Sequence, residues 1–130
     1  MTAYAGTHVA LDVLTLDPGA TREVRAPEHD EAVVVLLEGD IEWDGKRATR
    51  GSVFVDRASA VYLPPARAVS LAVTARTELV IATTVGAHIA GQPGAVPAFL
   101  GPADVVVHDR GEPGWRRQVH DVAVGQVAAS

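Results

Sequence analysis

The sequence predicts an all-β chain folded as one small barrel. Three observations predict it. Strand-like runs recur every eight to twelve residues, with turn signals between them. No stretch carries an apolar stripe at helical spacing. The middle of the chain reads as strand, corner and strand: Gly51-Ser52-Val53-Phe54-Val55, then Val61-Tyr62-Leu63, then Pro64-Pro65, then an alternating run from Ala68. Two consecutive prolines donate no ladder hydrogen bonds, so they end one strand and turn the chain into the next.

Taken in order, His8 to Leu16 (HVALDVLTL) is the first strand. Val9, Leu11 and Val13 fall on one face and Leu14 and Leu16 on the other. Asp17-Pro18-Gly19 is a turn. Thr21 to Arg25 is a short polar strand, and the charged stretch Ala26 to Glu31, which holds Pro27, is a loop. The β-branched run Ala32 to Leu37 is a strand covered on both faces, expected to stop at Glu38-Gly39-Asp40. Ile41-Glu42-Trp43 pairs with Lys46-Arg47-Ala48 across Asp44-Gly45, a favoured two-residue hairpin turn. After the central block, Val69, Leu71 and Val73 alternate with Ser70, Ala72 and Thr74, and Glu78 to Val85 is a further strand. Gly86 to Pro102, rich in Gly and Pro, is expected to be irregular. Ala103 to Asp109 returns to strand, Gly111 to Gly114 is a turn, and Trp115 to Val122 is the last strand. The expected domain is 1–122, with 123–130 a flexible tail of small residues.

Composition narrows the function. A chain of 130 residues is one domain with a proper core. Aromatics are 5% of it, so that core must be built from small branched side chains. The net charge of -5 argues against nucleic acid as a partner, because phosphate binding needs a basic surface. No run of apolar residues is long enough for a membrane span. The start, MTAYAGTHVA, has no basic region followed by an apolar one, so no signal peptide is expected. With no Cys there is no disulfide, thiol nucleophile or thiolate metal site, and a cytoplasmic location is the expectation. No Gly-x-Ser-x-Gly elbow and no phosphate-binding glycine loop occurs.

The run from Pro18-Gly19 to Gly39, the Asp-Gly hairpin and the Gly51 to Pro65 block together resemble a cupin. More narrowly, SVFVDRASAVYLPP followed by an alternating strand resembles the N-terminal half of the bacterial 5-deoxy-glucuronate isomerases of myo-inositol catabolism. Those belong with the pectin-pathway uronate isomerases in one two-cupin family. FLGPADVVVHDRGEPGWRRQVHDV is similar to the connector between the family's two halves, so the resemblance covers Tyr4 to Asp121. It implies a single cupin-like jelly-roll barrel. It also implies a relation to an aldose–ketose isomerisation, in which a proton moves between adjacent carbons while a metal polarises the carbonyl.

Departures from the family pattern shape the expected role. The family is about twice as long, and its His-x-His metal half has no counterpart here. In the half present, the two-His positions fall among Val24 to Glu28, where no His stands, and His29 is out of register. The His expected after the double proline is Val69, and the motif's Gly is Ala66. No metal site is therefore expected in this chain, and a divalent metal belongs to the second half. The chain reads as the metal-free half, inactive alone. The alternative is a free-standing metal-free cupin that binds a small acid or serves in assembly. Glu31, Tyr62 and Arg67 are the candidate substrate-binding residues, Arg67 because a guanidinium suits the carboxylate of an acidic sugar. No catalytic residue is named. The other histidines, His8, His88, His108 and His120, are scattered without partners. The expected partners are a second copy in a homodimer, in which Trp115 is shielded, or a second cupin half.

Overall fold

The computed structural model describes residues 2–53, 56–86, 97–102, 106–110 and 117–121. These residues form strands and turns, with no α-helix among them. The strands are β1 (Thr2–Ala5), β2 (Val9–Leu16), β3 (Thr21–Arg25), β4 (Ala32–Trp43), β5 (Lys46–Arg50), β6 (Ala60–Leu63), β7 (Ala68–Ala72), β8 (Thr77–Thr84), β9 (Ala98–Leu100), β10 (Val106–Arg110) and β11 (Arg117–Asp121). Every pairing among them is antiparallel. One layer runs β1-β2-β8-β4-β6-β9, and β3, β7 and β5 form a second layer joined through β4. β10 and β11 make a separate hairpin.

The all-β expectation holds, but the sheet is not closed among the described residues. Among the described residues β3 pairs only with β7, which leaves, among them, a gap between β3 and the β2–β8 side of the other layer. β3 carries Arg22, Glu23 and Arg25, and charges along an unpaired edge discourage pairing with another chain.

β4 holds the two layers together, and here the expected stop at Glu38-Gly39-Asp40 is corrected. The strand runs straight through, twelve residues long. Its pairing with β8 skips a residue, from Leu36↔Leu79 to Glu38↔Glu78. The skipped Leu37 reverses the inward parity. Ala32, Val34 and Leu36 are buried before it, and Ile41 and Trp43 after it. Gly39, at φ +109, supplies the bend. A bulge that turns a strand from one sheet into another does this in small barrels. The bulge's Leu36 carbonyl accepts a 2.9 Å hydrogen bond from the Arg50 guanidinium, which also donates to the Asp56 carbonyl.

Two further expectations change. The run opened by Gly51 is a turn where it is described, with the Asp56 N–H donating to the Ser52 carbonyl and the Gly51 N–H donating to the Asp56 carboxylate at 2.8 Å. Gly51 has no positive φ, so its backbone is ordinary; Phe54 and Val55 lie outside the described residues. Within the stretch expected to be irregular, β9 pairs with β6 through Val61↔Phe99, and Phe99 packs edge-on against Trp43 at 5.2 Å between ring centroids. Burying Phe99 and Leu100 outweighs the Pro and Gly around them. β1 adds a strand that the sequence did not signal.

The core lies between the layers and is small and branched, as the scarcity of aromatics required: Val24, Val34, Leu36, Ile41, Val61, Leu63, Val69, Leu71, Val73 and Leu79 lead it. The Asp44-Gly45 turn forms with positive φ at both residues and Trp43 opposite Lys46.

Candidate functional site

The three residues proposed from sequence separate into a pair and an outlier. The Tyr62 hydroxyl donates a 2.6 Å hydrogen bond to Glu31 Oε2, and both side chains are buried. Pairing of Val33 with Tyr62 puts the tyrosine on the face of the sheet opposite Val34 and Val61, which point into the core. Glu31 stands two residues before Val33 and follows the same side. Its backbone N–H donates to Thr84 Oγ1, and its carbonyl accepts from the Thr84 N–H. Burial, together with the hydrogen bond to Glu31 and its negative charge, raises the Tyr62 phenol well above the usual tyrosine range. Tyr62 therefore stays a neutral phenol that donates to Glu31. The bond ties β6 to the entry of β4.

Arg67 is exposed at the end of the double-proline corner, and its side chain makes no hydrogen bond or ion pair with the described residues. Its main chain closes the corner: the N–H donates to the Pro64 carbonyl, and its carbonyl accepts from Ala26. Ala66 takes φ +64 at the third position of this turn, where a glycine is usual.

The positions of a cupin metal are filled differently. Val69 pairs with Val24 across β7 and β3, and both are in the core. His29 and His8 are exposed. No group of three or more His, Cys, Asp or Glu among the described residues is placed to hold a metal. His88 and Trp115 lie outside the described residues.

A cleft that the sequence reading did not single out lies at the gap beside β3. It has a volume of about 350 Å³ and is lined by Ala10 and Asp12 of β2, Ile81 and Thr83 of β8, and Arg22, Val24 and Pro27 opposite them. A signal for it is present in the alternation. Asp12 shares parity with Leu14 and Leu16, and Arg22 shares parity with Val24, so each is a charge written at a core-facing position.

The described residues include no helix long and apolar enough to cross a membrane. A search of the curated proteins finds no match. Among solved structures, an IolB-like protein from Salmonella typhimurium LT2 superposes with a TM-score of 0.68 at 22% identity, over 87% of this chain and 43% of that one. The likeness shows a shared fold, and the chain spans less than half the length of that protein. The KduI/IolB family model matches residues 2–130. With nearly every residue inside that match, and with a fold shared with an IolB-like protein, the chain belongs to the KduI/IolB family.

Proposed function

We propose that the chain is the metal-free cupin half of a cytoplasmic 5-deoxy-glucuronate isomerase system in myo-inositol catabolism, supplying scaffold and assembly surface rather than the reacting centre. The observation that carries this reading is the filling of the cupin ligand positions. Val69 is a core side chain, no His stands from Val24 to Glu28, and the Glu31 carboxylate is turned onto Tyr62. A cupin metal needs imidazoles and a carboxylate converging on one point, and these residues do not fit one. Any metal chemistry then belongs to a second cupin half. The enclosed Glu31–Tyr62 pair also offers no positioned base for moving a proton between adjacent carbons.

The test is direct. Purified without a histidine tag, the chain should carry less than stoichiometric Mn, Fe, Ni or Zn. It should show no turnover of 5-deoxy-glucuronate, with or without added divalent metal. Activity should appear only when a metal-binding second half is supplied. Metal-dependent turnover by the chain alone, or a tight metal lost on Glu31→Ala, rules the reading out.

A second reading, an assembly module paired with its own copy, is supported by the outer face of the β1-β2-β8-β4-β6-β9 layer. Leu11, Val13, Val33, Val35, Val80 and Ala82 share that face by register and are only half-buried, and Val9 beside them is 41% exposed. Broad apolar surface of this kind is usually covered.

A further inference from the structure

We propose that the free edge of β3 pairs antiparallel with the same edge of a second copy, with Glu23 of each chain opposite Arg25 of the other. The backbone of β3 decides which residues can pair. The register of β3 with β7 runs from Thr21↔Ala72 to Arg25↔Ala68. Just beyond its ends, the Val73 N–H donates to the Ala20 carbonyl and the Ala26 N–H donates to the Arg67 carbonyl. An antiparallel ladder alternates hydrogen-bonded and non-hydrogen-bonded pairs. Arg22 and Val24, of the same parity as Ala20 and Ala26, therefore bond to β7. Thr21, Glu23 and Arg25 turn their N–H and carbonyl groups the other way, where no strand pairs with β3 among the described residues.

The side chains decide the partner. Glu23 and Arg25 stand on the face opposite Val24 and the core, with side chains 63% and 60% exposed. Their contact with each other is loose, at 3.6 Å. Charges on an edge discourage a strand of arbitrary sequence, but they select one whose charges are opposite. An antiparallel copy of β3 is such a strand. With a two-fold axis at Val24, Glu23 of each chain faces Arg25 of the other, and both are residues whose backbone groups point outward. Each such pair exchanges two backbone hydrogen bonds and sets opposite charges side by side. An axis at Glu23 or at Arg25 sets like charges against each other instead, so the charges choose one register. Thr21 then falls opposite Pro27, which has no N–H, and the ladder ends there. A contact of this kind is isologous and closed.

The size of the edge sets its strength. One five-residue strand is far below the roughly 1,000 Å² of a stable interface. Pairing is therefore expected at roughly 0.1–1 mM, well above the micromolar range. β3 belongs to the other layer from the apolar face around Leu11 and Val33. The two contacts are independent, and failure of this one leaves the readings above in place.

Sedimentation of the whole chain at about 10 µM and about 0.5 mM tests it. The weight-average mass of the parent should rise between them, and about 0.5 M salt should reduce the rise by screening the paired charges. Glu23→Arg and Arg25→Glu should each weaken the association by about tenfold or more, since each makes the attractive pairs repulsive. A double variant carrying both changes should associate as the parent does. So should an equimolar mixture of the two single variants, in which every charge again meets its opposite. Glu23→Pro removes an outward N–H and leaves the ladder to β7 whole, and it should abolish the rise. Lys46→Glu, at the Asp44-Gly45 hairpin, changes the net charge as Arg25→Glu does and should leave the rise unchanged. Glu23 and Arg25 are exposed, so their variants should keep the parent's melting temperature; should Arg25→Glu not fold, Glu23→Arg and Glu23→Pro carry the comparison. A parent whose mass stays constant overturns the proposal. So does association that is indifferent to both charge reversals or to Glu23→Pro, or a mixture that fails to restore what each single variant loses.

Discussion

Ala66 holds φ +64 in a turn whose second position is Pro65 and whose ends are joined by the Arg67 N–H to Pro64 carbonyl bond. A side chain in that region is strained by about 1–2 kcal/mol, and glycine recovers part of this while costing chain entropy in the unfolded state. Ala66→Gly should therefore raise stability by about 0.5–1 kcal/mol in urea unfolding; an unchanged midpoint would mean the turn bears no strain. Asp40 shows the opposite balance. Its carboxylate accepts the Thr74 hydroxyl at 2.5 Å and the Thr74 N–H at 2.9 Å, with Arg47 at 3.2 Å. The Thr74 bonds, more than Arg47, hold its pKa below the usual carboxylate range. The depressed group contributes stability that is fully present above its unfolded value, near 3.8, and is lost as pH falls through the lower folded value. Asp40→Asn should cost about 1–3 kcal/mol at neutral pH. The gap between variant and parent should close only in acid, below the ordinary carboxylate range. A gap that closes instead between pH 6 and 8 would point to a histidine.

At the scale of the element, β4 depends on one residue without a side chain. Gly39 combines φ +109 with a close approach: a Cβ there would lie 2.7 Å from both the Arg76 carbonyl oxygen and Thr77 Cα, and nearer still to the Thr77 hydroxyl. That hydroxyl is not free to move. Thr77 is fully buried, accepts from the Asp40 N–H at 3.1 Å, and lies 2.9 Å from the Asp40 and Ala75 carbonyls. Gly39→Ala should therefore destabilise by about 3 kcal/mol or more, through overpacking and backbone strain together. Thermal melts compare it with Gly19→Ala, which also has positive φ but open space around it. If the two cost the same, the packing at the bend is not what requires glycine.

For the whole molecule, the expected homodimer supposes a last strand, Trp115 to Val122, whose backbone groups find no pairing within its own chain. That premise is corrected: β11 pairs with β10 along its length, from Val106↔Asp121 to Arg110↔Arg117. Shielding of Trp115 concerns a residue outside the described ones. The half-buried apolar face around Leu11, Val33 and Val80 now supplies the motive for association. Sedimentation at micromolar concentration should give a dimer, and Val9→Glu or Leu11→Glu on that face should shift it to monomer with the fold kept. A parent that sediments as a monomer would sink the proposal.

What the sequence determined by itself is local. Alternation fixed the inward faces of β2, β3 and β7; Asp44-Gly45 fixed one hairpin; Pro64-Pro65 fixed a corner. Even the reversal of parity in β4 is written there, since Leu36 and Ile41 stand an odd number of residues apart. The family was legible for the same reason, because its motif is a spacing of turns and strands. Tertiary structure alone decided the rest. Gly39 bends a strand instead of ending it because Thr77 packs against it. Ala98–Leu100 forms a strand because β6 offers an edge and Trp43 a surface for Phe99. Glu31 faces Tyr62, and Asp12 and Arg22 face one cleft, because strand registers and the gap beside β3 put them there. The physical division is one of range. Side-chain direction follows from each residue's neighbours in the chain, whereas the strand opposite it, and the place where two layers part, depend on contacts between segments distant in sequence.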